Sequence, residues 1–213
     1  MNEFQRKIEQ LFNDRFIVNK IQSKLPKLFQ LAEVESMRGG KIGMEVGTIR
    51  ERIIIALLIY HYGRDNVKSE ISTTKSEVDV ELFKTPISIK TKSGKGLSGV
   101  KLIWTVDADK SNEFLESYTP SCELIFTHII WNGLGCLYFI PQEVQLSVLN
   151  AIGRADYIKI PKVGTNPRGV EITSEALGKL TQHKGTYTLP IQWIKEKIDY
   201  DIYERWEKLW EQD

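Results

Sequence analysis

Hydrophobic residues recur through the first 35 residues at the spacing of an α-helix. Apolar side chains three or four residues apart lie on one side of such a helix, and here they are Phe4, Ile8, Leu11, Phe12 and Phe16. Proline interrupts the hydrogen bonding of a helix interior. We therefore expect residues 3–35 to be helical and Pro26 to divide them into two helices.

A glycine-rich segment follows at residues 37–47, where four of eleven positions are glycine. This composition predicts a loop that is either flexible or tightly turned. A strongly apolar helix is expected next, with Thr48 as its N-cap and Glu51 completing a capping box. Gly63 is a good stop signal, so this helix should end near Tyr62.

Residues 77–92 alternate between polar and apolar side chains, which is the period of a β-strand. Lys84-Thr85-Pro86 interrupts the alternation and predicts a turn. The segment is therefore expected to form a β-hairpin. Because successive strand residues point to opposite faces, one polar face should carry the side chains Asp79, Glu81, Ser88, Lys90 and Lys92.

The rest of the chain continues this mixture of strand and helix patterns. Strands are predicted at 100–107, 122–131 and 134–140, a helix at 141–150, short strands around a loop at 156–174, and a tryptophan-rich amphipathic helix or helix pair at 190–212. A run of strands between helical regions predicts the α/β class, with a central mixed β-sheet flanked by helices.

Composition narrows the function classes only slightly. The net charge is +1, which argues against a protein that coats nucleic acid nonspecifically. It does not exclude an enzyme that acts on DNA, because carboxylates at a metal site would offset basic residues elsewhere. Cys122 and Cys136 lie in strand-like stretches and are expected to be thiols, and no signal peptide or membrane span is evident. We expect a cytoplasmic protein.

The polar face of the hairpin has the composition of a site for phosphodiester hydrolysis. That reaction uses a divalent cation against the scissile phosphate to lower the pKa of a water and to neutralise charge. Mg²⁺ takes one or two carboxylates together with waters and phosphate oxygens, and a lysine can offset developing charge. Asp79 and Lys90 would supply these groups, and the carbonyl of Ile89 could supply a further ligand. The competing interpretation is a cross-strand salt bridge on a solvated surface.

This order of residues resembles the PD-(D/E)xK nuclease superfamily. Members contribute an aspartate from one strand, a (D/E)-x-K from the next strand and often a glutamate from the preceding helix. Asp79 matches the aspartate and Lys90 the lysine, while Val78 replaces the proline and Ser88 stands where the second acid is expected. The resemblance implies a restriction-endonuclease-like core.

The missing second carboxylate has two candidates. Glu51 matches the family's helix glutamate and is the one we favour, because a glutamate on so apolar a helix otherwise lacks an obvious purpose. Glu81 is the alternative, since it lies on the same face of the strand as Asp79. The predicted catalytic set is therefore Glu51, Asp79 and Lys90, with Mg²⁺ held by both acids and Ile89.

The whole chain also resembles the type II restriction endonucleases of the ThaI family. That resemblance implies a homodimer that cuts the palindrome CGCG to blunt ends, and a methyltransferase that protects the same site in host DNA. Alternatives are a structure-specific nuclease such as a Holliday-junction resolvase, or a non-catalytic DNA-binding domain. We expect one domain over residues 1–213. Its parts would be N-terminal helices at 1–36, a DNA-contacting loop at 37–47, the nuclease core at 48–140, and DNA-contacting and dimer elements at 141–213.

Several residues are candidates for DNA contact. Met44 is predicted to wedge between base steps of the minor groove, as apolar side chains do in other proteins; the alternative is that it packs beneath its loop. Arg38 and Lys41 can meet phosphates. Guanines can be read by arginine or lysine, for which the candidates are Lys92, Lys95 and Arg168, unless these simply lie in solvated loops.

Overall fold

The computed structural model describes residues 3–71, 77–103, 105, 107–161 and 169–212. The helices are α1 (Glu3–Asn13), α2 (Arg15–Glu35), α3 (Val46–Tyr62), α4 (Ala108–Ser117), α5 (Gln142–Ile152), α6 (Arg154–Tyr157), α7 (Ser174–Gln182) and α8 (Glu204–Trp210). The strands are β1 (Met37–Arg38), β2 (Lys41–Ile42), β3 (Val67–Lys68), β4 (Val80–Leu82), β5 (Thr85–Ser93), β6 (Val100–Ile103), β7 (Glu123–Ile129), β8 (Gly133–Ile140), β9 (Ile158–Lys159), β10 (Val170–Ile172) and β11 (Tyr187–Trp193). Among these helices, none is long and apolar enough to cross a membrane.

The central sheet has six strands in the order β11-β8-β7-β5-β4-β3. Strands β5 and β7 run parallel, and the other neighbours run antiparallel. The sheet is therefore mixed, and helices pack against it, which confirms the predicted fold class. A smaller sheet, β6-β10-β9, and the short β1-β2 hairpin complete the strand pairing of the described residues.

Each face of the central sheet has its own hydrophobic core. Alternate residues of β7 divide between the two cores, with Ile125 and Ile129 in one and Leu124 and Phe126 in the other. The first core is closed by α1, α2 and α3, and the second by α5 and α7 together with the smaller sheet. The sheet is thus covered on both sides, and its functional groups must emerge at an end or an edge.

The predicted hairpin is present as β4 and β5, which pair antiparallel with Val80 opposite Ile87. The turn differs from the prediction, because it consists of Phe83 and Lys84, both with positive φ. Two such residues make the tight turn that matches the twist of hairpin strands. Pro86 consequently lies inside β5 instead of in the turn.

The prediction for Pro26 was wrong, because α2 continues through it. The N-terminal helices instead separate at Asp14, whose carboxylate accepts hydrogen bonds from the backbone N–H groups of Phe16 and Ile17. Proline removes only one backbone hydrogen bond from the helix. Burial of Leu25 and Phe29 on either side of Pro26 outweighs that loss.

Two other boundaries also differ from the sequence pattern. Helix α3 begins at Val46, so Thr48 lies inside the helix and forms no capping box with Glu51. The tryptophan-rich end was predicted to be helical, but its first part is strand β11, which pairs with β8 along seven residues. Leu189, Ile191 and Trp193 are buried at every second position of that strand. This two-residue period overrides the amphipathic helix pattern.

Candidate active site

Asp79 lies immediately before β4 and is held by the neighbouring strand. Its backbone N–H donates to the carbonyl oxygen of Ile87 at 2.9 Å. Its Oδ2 accepts three hydrogen bonds, from the backbone N–H of Ile89 at 2.6 Å, from Ser88 Oγ at 3.2 Å and from Lys90 Nζ at 3.2 Å. Because these bonds all end on Oδ2, the carboxylate is fixed in orientation and Oδ1 is left for another ligand.

Ser88 occupies the position at which PD-(D/E)xK nucleases carry a second acid. Its side chain is 6% exposed and donates to the same oxygen of Asp79 as Lys90 does. Ser88 therefore orients the aspartate and adds no charge to the site. The second carboxylate has to come from another element.

Glu51 and Asp79 line one cleft of about 550 Å³. Lys90 and Ile89 line the same cleft, and because the Ile89 side chain is buried in the core, the backbone is the part of Ile89 that faces it. The structure thus brings together the four residues that the sequence analysis assigned to catalysis and metal binding. The acids arrive from α3 and from the start of β4, and the lysine from β5.

The cleft is electrostatically unfavourable for two carboxylates in the absence of a cation. Burial raises the pKa of Glu51, and the negative charge of Asp79 raises it further, while Lys90 and Arg52 act in the opposite direction. A cation bound between the two acids would relieve this repulsion. Among the described residues, no group of three or more His, Cys, Asp or Glu side chains is close enough to hold a metal. The cleft does supply two carboxylates, and Mg²⁺ is an ion that takes one or two carboxylates and completes its ligands with water and phosphate oxygens.

Glu81, the alternative second acid, lies elsewhere. It is opposite Pro86 in the hairpin and forms an ion pair with Lys68 of β3, with 3.8 Å between Lys68 Nζ and Glu81 Oε2. It does not line the cleft that holds Asp79. The structure places Glu51, and not Glu81, beside the aspartate.

A buried ion pair fixes the helix that carries Glu51. Arg50 Nη2 lies 2.6 Å from Glu33 Oε1 of α2, and both residues are less than 6% exposed. Glu33 also accepts a hydrogen bond from Trp131 Nε1 at 2.7 Å and pairs with Lys195 Nζ at 3.0 Å. A buried charge is tolerated only when it is paired in this way. The network holds the start of α3 against α2, and this contact also positions Glu51.

The glycine-rich segment forms a tight hairpin beside the cleft. Gly39 and Gly40 have positive φ and connect β1 to β2. Gly43 donates its N–H to the carbonyl of Ser36, and a Cβ atom at Gly43 would lie only 2.7 Å from that oxygen. The tightly turned alternative is therefore the correct one for this segment.

The hairpin presents Met44 at the mouth of the cleft. Met44 is 68% exposed and lines the cleft, so it does not pack beneath the loop. Lys41 is exposed on β2. Arg38 is also exposed, and its Nη2 pairs with Glu45 Oε1 at 2.9 Å. The ion pair joins β1 to Glu45, the residue that follows Met44.

The other predicted DNA contacts are more scattered. Lys92 follows Lys90 on the same strand, and Lys95 is exposed in the turn after β5, but neither lines the cleft. Arg168 and most of the predicted loop 164–169 lie outside the described residues. Lys92 shares with Lys90 one face of β5, because the two residues are two positions apart on the strand.

Two residues near the site were missed by the sequence analysis. Lys101 of β6 lines the cleft from the smaller sheet. Glu77 lines a small cavity on the other side of Lys90 and accepts a hydrogen bond from Ser121 Oγ at 2.8 Å. Alternation in Val100-Lys101-Leu102 signals a strand, but only the packing of β6 beside β5 brings that lysine to the acids.

A mixed sheet with this pairing of acid and lysine places the molecule among the restriction-endonuclease-like nucleases. A family model described as "Restriction endonuclease ThaI" matches residues 11–212. The chain therefore belongs to the ThaI restriction endonuclease family.

Structural comparison agrees with this assignment. A solved structure described as "Restriction endonuclease in complex with substrate DNA" is 52% identical in sequence and superposes with a TM-score of 0.90. The match covers 95% of this chain and 98% of that one. Comparison with curated proteins finds no match.

Proposed function

We propose that this restriction endonuclease is a type II, Mg²⁺-dependent enzyme that cuts the palindrome CGCG to blunt ends. The observation that carries the proposal is the common cleft of Glu51, Asp79 and Lys90 in a chain of the ThaI family. A homodimer is proposed because a palindromic target matches two-fold symmetry. A methyltransferase acting on the same sequence would protect host DNA, and both would work in the cytoplasm as parts of a restriction–modification pair.

The residues of the cleft have distinct roles in this proposal. Glu51 and Asp79 would hold Mg²⁺, and the backbone of Ile89 would offer a further oxygen. When bound, the metal lowers the pKa of a water and neutralises charge on the scissile phosphate. Lys90, held 3.2 Å from Asp79 Oδ2, donates to the attacking water or to a phosphate oxygen. One domain therefore both contacts DNA and cuts it.

The chemistry is tested by incubating the protein with plasmid DNA and Mg²⁺. We expect discrete fragments whose ends map to CGCG, and no cutting in the presence of EDTA. Asp79→Asn and Lys90→Ala should each slow cutting at least about a hundredfold, as when a group that stabilises a transition state is removed, while DNA binding is retained. Asp65→Asn and Lys179→Ala, which change exposed residues of the same types, are the matched controls.

Each other outcome of that assay has a definite meaning. Fragments that do not map to CGCG would contradict the proposed recognition sequence. Cutting of branched DNA alone would indicate a structure-specific nuclease, and binding without cutting would indicate a non-catalytic module. If both site variants cut at the wild-type rate, the assignment of Asp79 and Lys90 is wrong.

We further propose that Met44 enters the minor groove and wedges into a CG step, which unstacks easily because it is a pyrimidine–purine step. Its exposure at the mouth of the cleft supports this role. Arg38 and Lys41 would then meet phosphates on either side of the groove. Lys92, Lys95 and Arg168 remain candidates for contacts to guanines or phosphates.

The wedge predicts that Met44→Ala weakens binding to CGCG duplexes about tenfold or more, equivalent to ~1.4 kcal/mol. Met37→Ala is the control, because Met37 is exposed in the same hairpin but does not line the cleft. The measurement is a fluorescence titration with 2-aminopurine beside the CG step, which brightens when a base unstacks. Equal affinity and equal fluorescence for both variants would contradict the wedge.

A further inference from the structure

An apolar groove runs between α2 and α3 on the side of α3 away from the sheet. It has a volume of about 420 Å³, and its walls are Ile21, Leu25, Leu28, Ile53, Ala56 and Leu57. Lys20, Lys24 and Tyr60 form the rim. Leu28 and Tyr60 are 41% and 56% exposed, so this α2–α3 groove is open to solvent in the single chain.

The C-terminal arm, residues 194–212, presents a second exposed apolar surface. In α8 no residue is buried, and Trp206, Leu209 and Trp210 are 53%, 51% and 90% exposed. Their spacing of three and four residues places them on one face of the helix. A face with two exposed tryptophans is unusual in a monomer and typical of an interaction site.

The charges beside these two surfaces are opposite. From Arg15 to Ala32, α2 contains four basic residues and no acidic one. From Asp199 to Gln212, the arm contains five acidic and two basic residues, a net charge of −3. Glu207 borders the apolar face of α8, just as Lys20 and Lys24 border the groove. Such complementarity orients partners and excludes wrong ones.

Within the described part of the chain, the arm is tied to the rest of its own molecule at its beginning. Glu196 exchanges hydrogen bonds with Gln30 and pairs with Lys27 at 3.0 Å, and Tyr200 donates to Glu35 at 2.6 Å. Beyond Tyr200, the ion pair between Lys208 and Glu204 is internal to α8. The ten residues 194–203 contain no helix or strand, and ten residues span at most about 33–36 Å. The end of the arm can therefore reach a neighbouring molecule.

We propose that a second copy of this chain fills the groove, so that α8 of each protomer docks between α2 and α3 of its partner. This inference builds on the homodimer in the proposed function and assigns its interface. A two-fold dimer forms such a contact twice. Trp206 and Trp210 of the two protomers together bury on the order of 600–1,000 Å². The groove surfaces that they cover add a similar area, so the two contacts reach the order of 1,200–2,000 Å² that a stable interface buries.

A substitution that fills the groove tests the contact directly. Ala56 is exposed in the groove wall, so Ala56→Glu blocks the groove and repels the acidic arm without changing the core. We expect the dimer dissociation constant, measured by sedimentation velocity without DNA or metal, to rise about tenfold or more, as when a central interface contact is lost. Ala151→Glu, at an exposed alanine of α5, is the matched control and should leave it unchanged.

A charge exchange tests which surfaces meet. The pair Lys20→Glu and Lys24→Glu in one preparation, and the pair Glu207→Lys and Glu211→Lys in another, should each weaken self-association. Mixing the two should restore dimers, because each arm then faces a groove of opposite charge. Restoration identifies contact between copies, since an arm docked on its own groove would gain nothing from mixing.

The proposal is overturned if the wild-type protein is monomeric, if Ala56→Glu dimerises normally, or if mixing restores nothing. Circular dichroism shows whether each variant is folded. Because association is measured without DNA or metal, its result is separate from that of the cutting assay. Dimers that obey these rules but cut no DNA would contradict the nuclease proposal alone, and monomers that cut CGCG would contradict the interface alone.

Discussion

At the scale of single residues, the cleft holds two carboxylates, Glu51 and Asp79, whose negative charges repel each other when no cation is bound. Burial and the charge of Asp79 both raise the pKa of Glu51. A carboxyl group whose pKa is higher in the folded state makes folding more favourable at low pH, and this contribution is lost as pH rises through the folded pKa. At neutral pH the ionised Glu51 therefore costs stability, which a bound cation would recover.

This argument predicts that Glu51→Gln raises the thermal midpoint of the metal-free protein at neutral pH. The rise should stay within the 2–4 °C or so that 1 kcal/mol produces in a domain of this size. The same change should abolish the stabilisation that added Mg²⁺ gives the wild type. Differential scanning calorimetry at pH 4 and pH 7.5 measures both, with Glu116→Gln on the exposed side of α4 as control.

Two outcomes of this calorimetry would contradict the role given to Glu51. The difference in midpoint between Glu51→Gln and the wild type should shrink at pH 4, where the wild-type carboxyl is protonated. A larger difference at pH 4 than at pH 7.5 would show that the charge of Glu51 is not the cause. A variant that still gains stability from Mg²⁺ would remove Glu51 from the metal site.

The candidate site could be predicted from the sequence to different extents for different residues. Strand alternation alone places Asp79 and Lys90 on one face, and the structure has them 3.2 Å apart. The position of Glu51 followed only from the family resemblance, since no local pattern connects a helix residue to a strand 28 positions later. Lys101 was missed because tertiary packing alone brings β6 and its lysine to the cleft.

At the scale of elements, strand β8 depends on one close approach. A Cβ atom at Gly135 would lie 2.1 Å from the carbonyl oxygen of His128 and 2.6 Å from Trp193 Nε1. His128 belongs to β7 and Trp193 to β11, the two neighbours of β8 in the sheet. Gly135 therefore allows three strands to pack around the buried tryptophan.

We expect Gly135→Ala to lower the free energy of unfolding by about 1–3 kcal/mol or more, because a packed interior cannot admit another methyl group without strain. Gly178→Ala is the matched control. Gly178 lies inside α7 with no atom within 4 Å of its ideal Cβ position, so the same change there should stabilise the protein by roughly 0.5–1 kcal/mol. Urea unfolding measures both, and equal midpoints would contradict the packing argument.

Elements were predictable where a local period agrees with burial. Strands β5, β7 and β8 alternate or are continuously apolar, and all three lie where the pattern placed them. The helix predicted at the start of the C-terminal region was wrong. The spacing of its tryptophans, Trp193, Trp206 and Trp210, resembles that of an amphipathic helix. Only the first of them is in a buried strand. Helices α4 and α7 were not predicted, since nine or ten residues give a weak helical period.

At the scale of the whole molecule, the fold class followed from the order of the elements, but the strand order did not. Parallel pairing of β5 with β7 joins segments separated in the chain by β6 and α4. A sequence pattern shows which face of an element is apolar. Because each side of the central sheet has its own core, an apolar face does not show against which core, or beside which strand, an element packs. Which strand lies beside which is decided by contacts between distant segments, and these leave no local period.

The first core also joins the two ends of the chain. Phe29 of α2 lies against Trp193 of β11 with ring centroids 5.5 Å apart, and Phe12 lies against Tyr187. During synthesis on the ribosome, the N-terminal helices emerge first but cannot bury these aromatic side chains until residue 193 has been made. Glu33, which pairs with Arg50 of α3, likewise cannot form its ion pair with Lys195 before that residue has been made. A nascent chain therefore remains an incomplete nuclease until residue 195 has been translated.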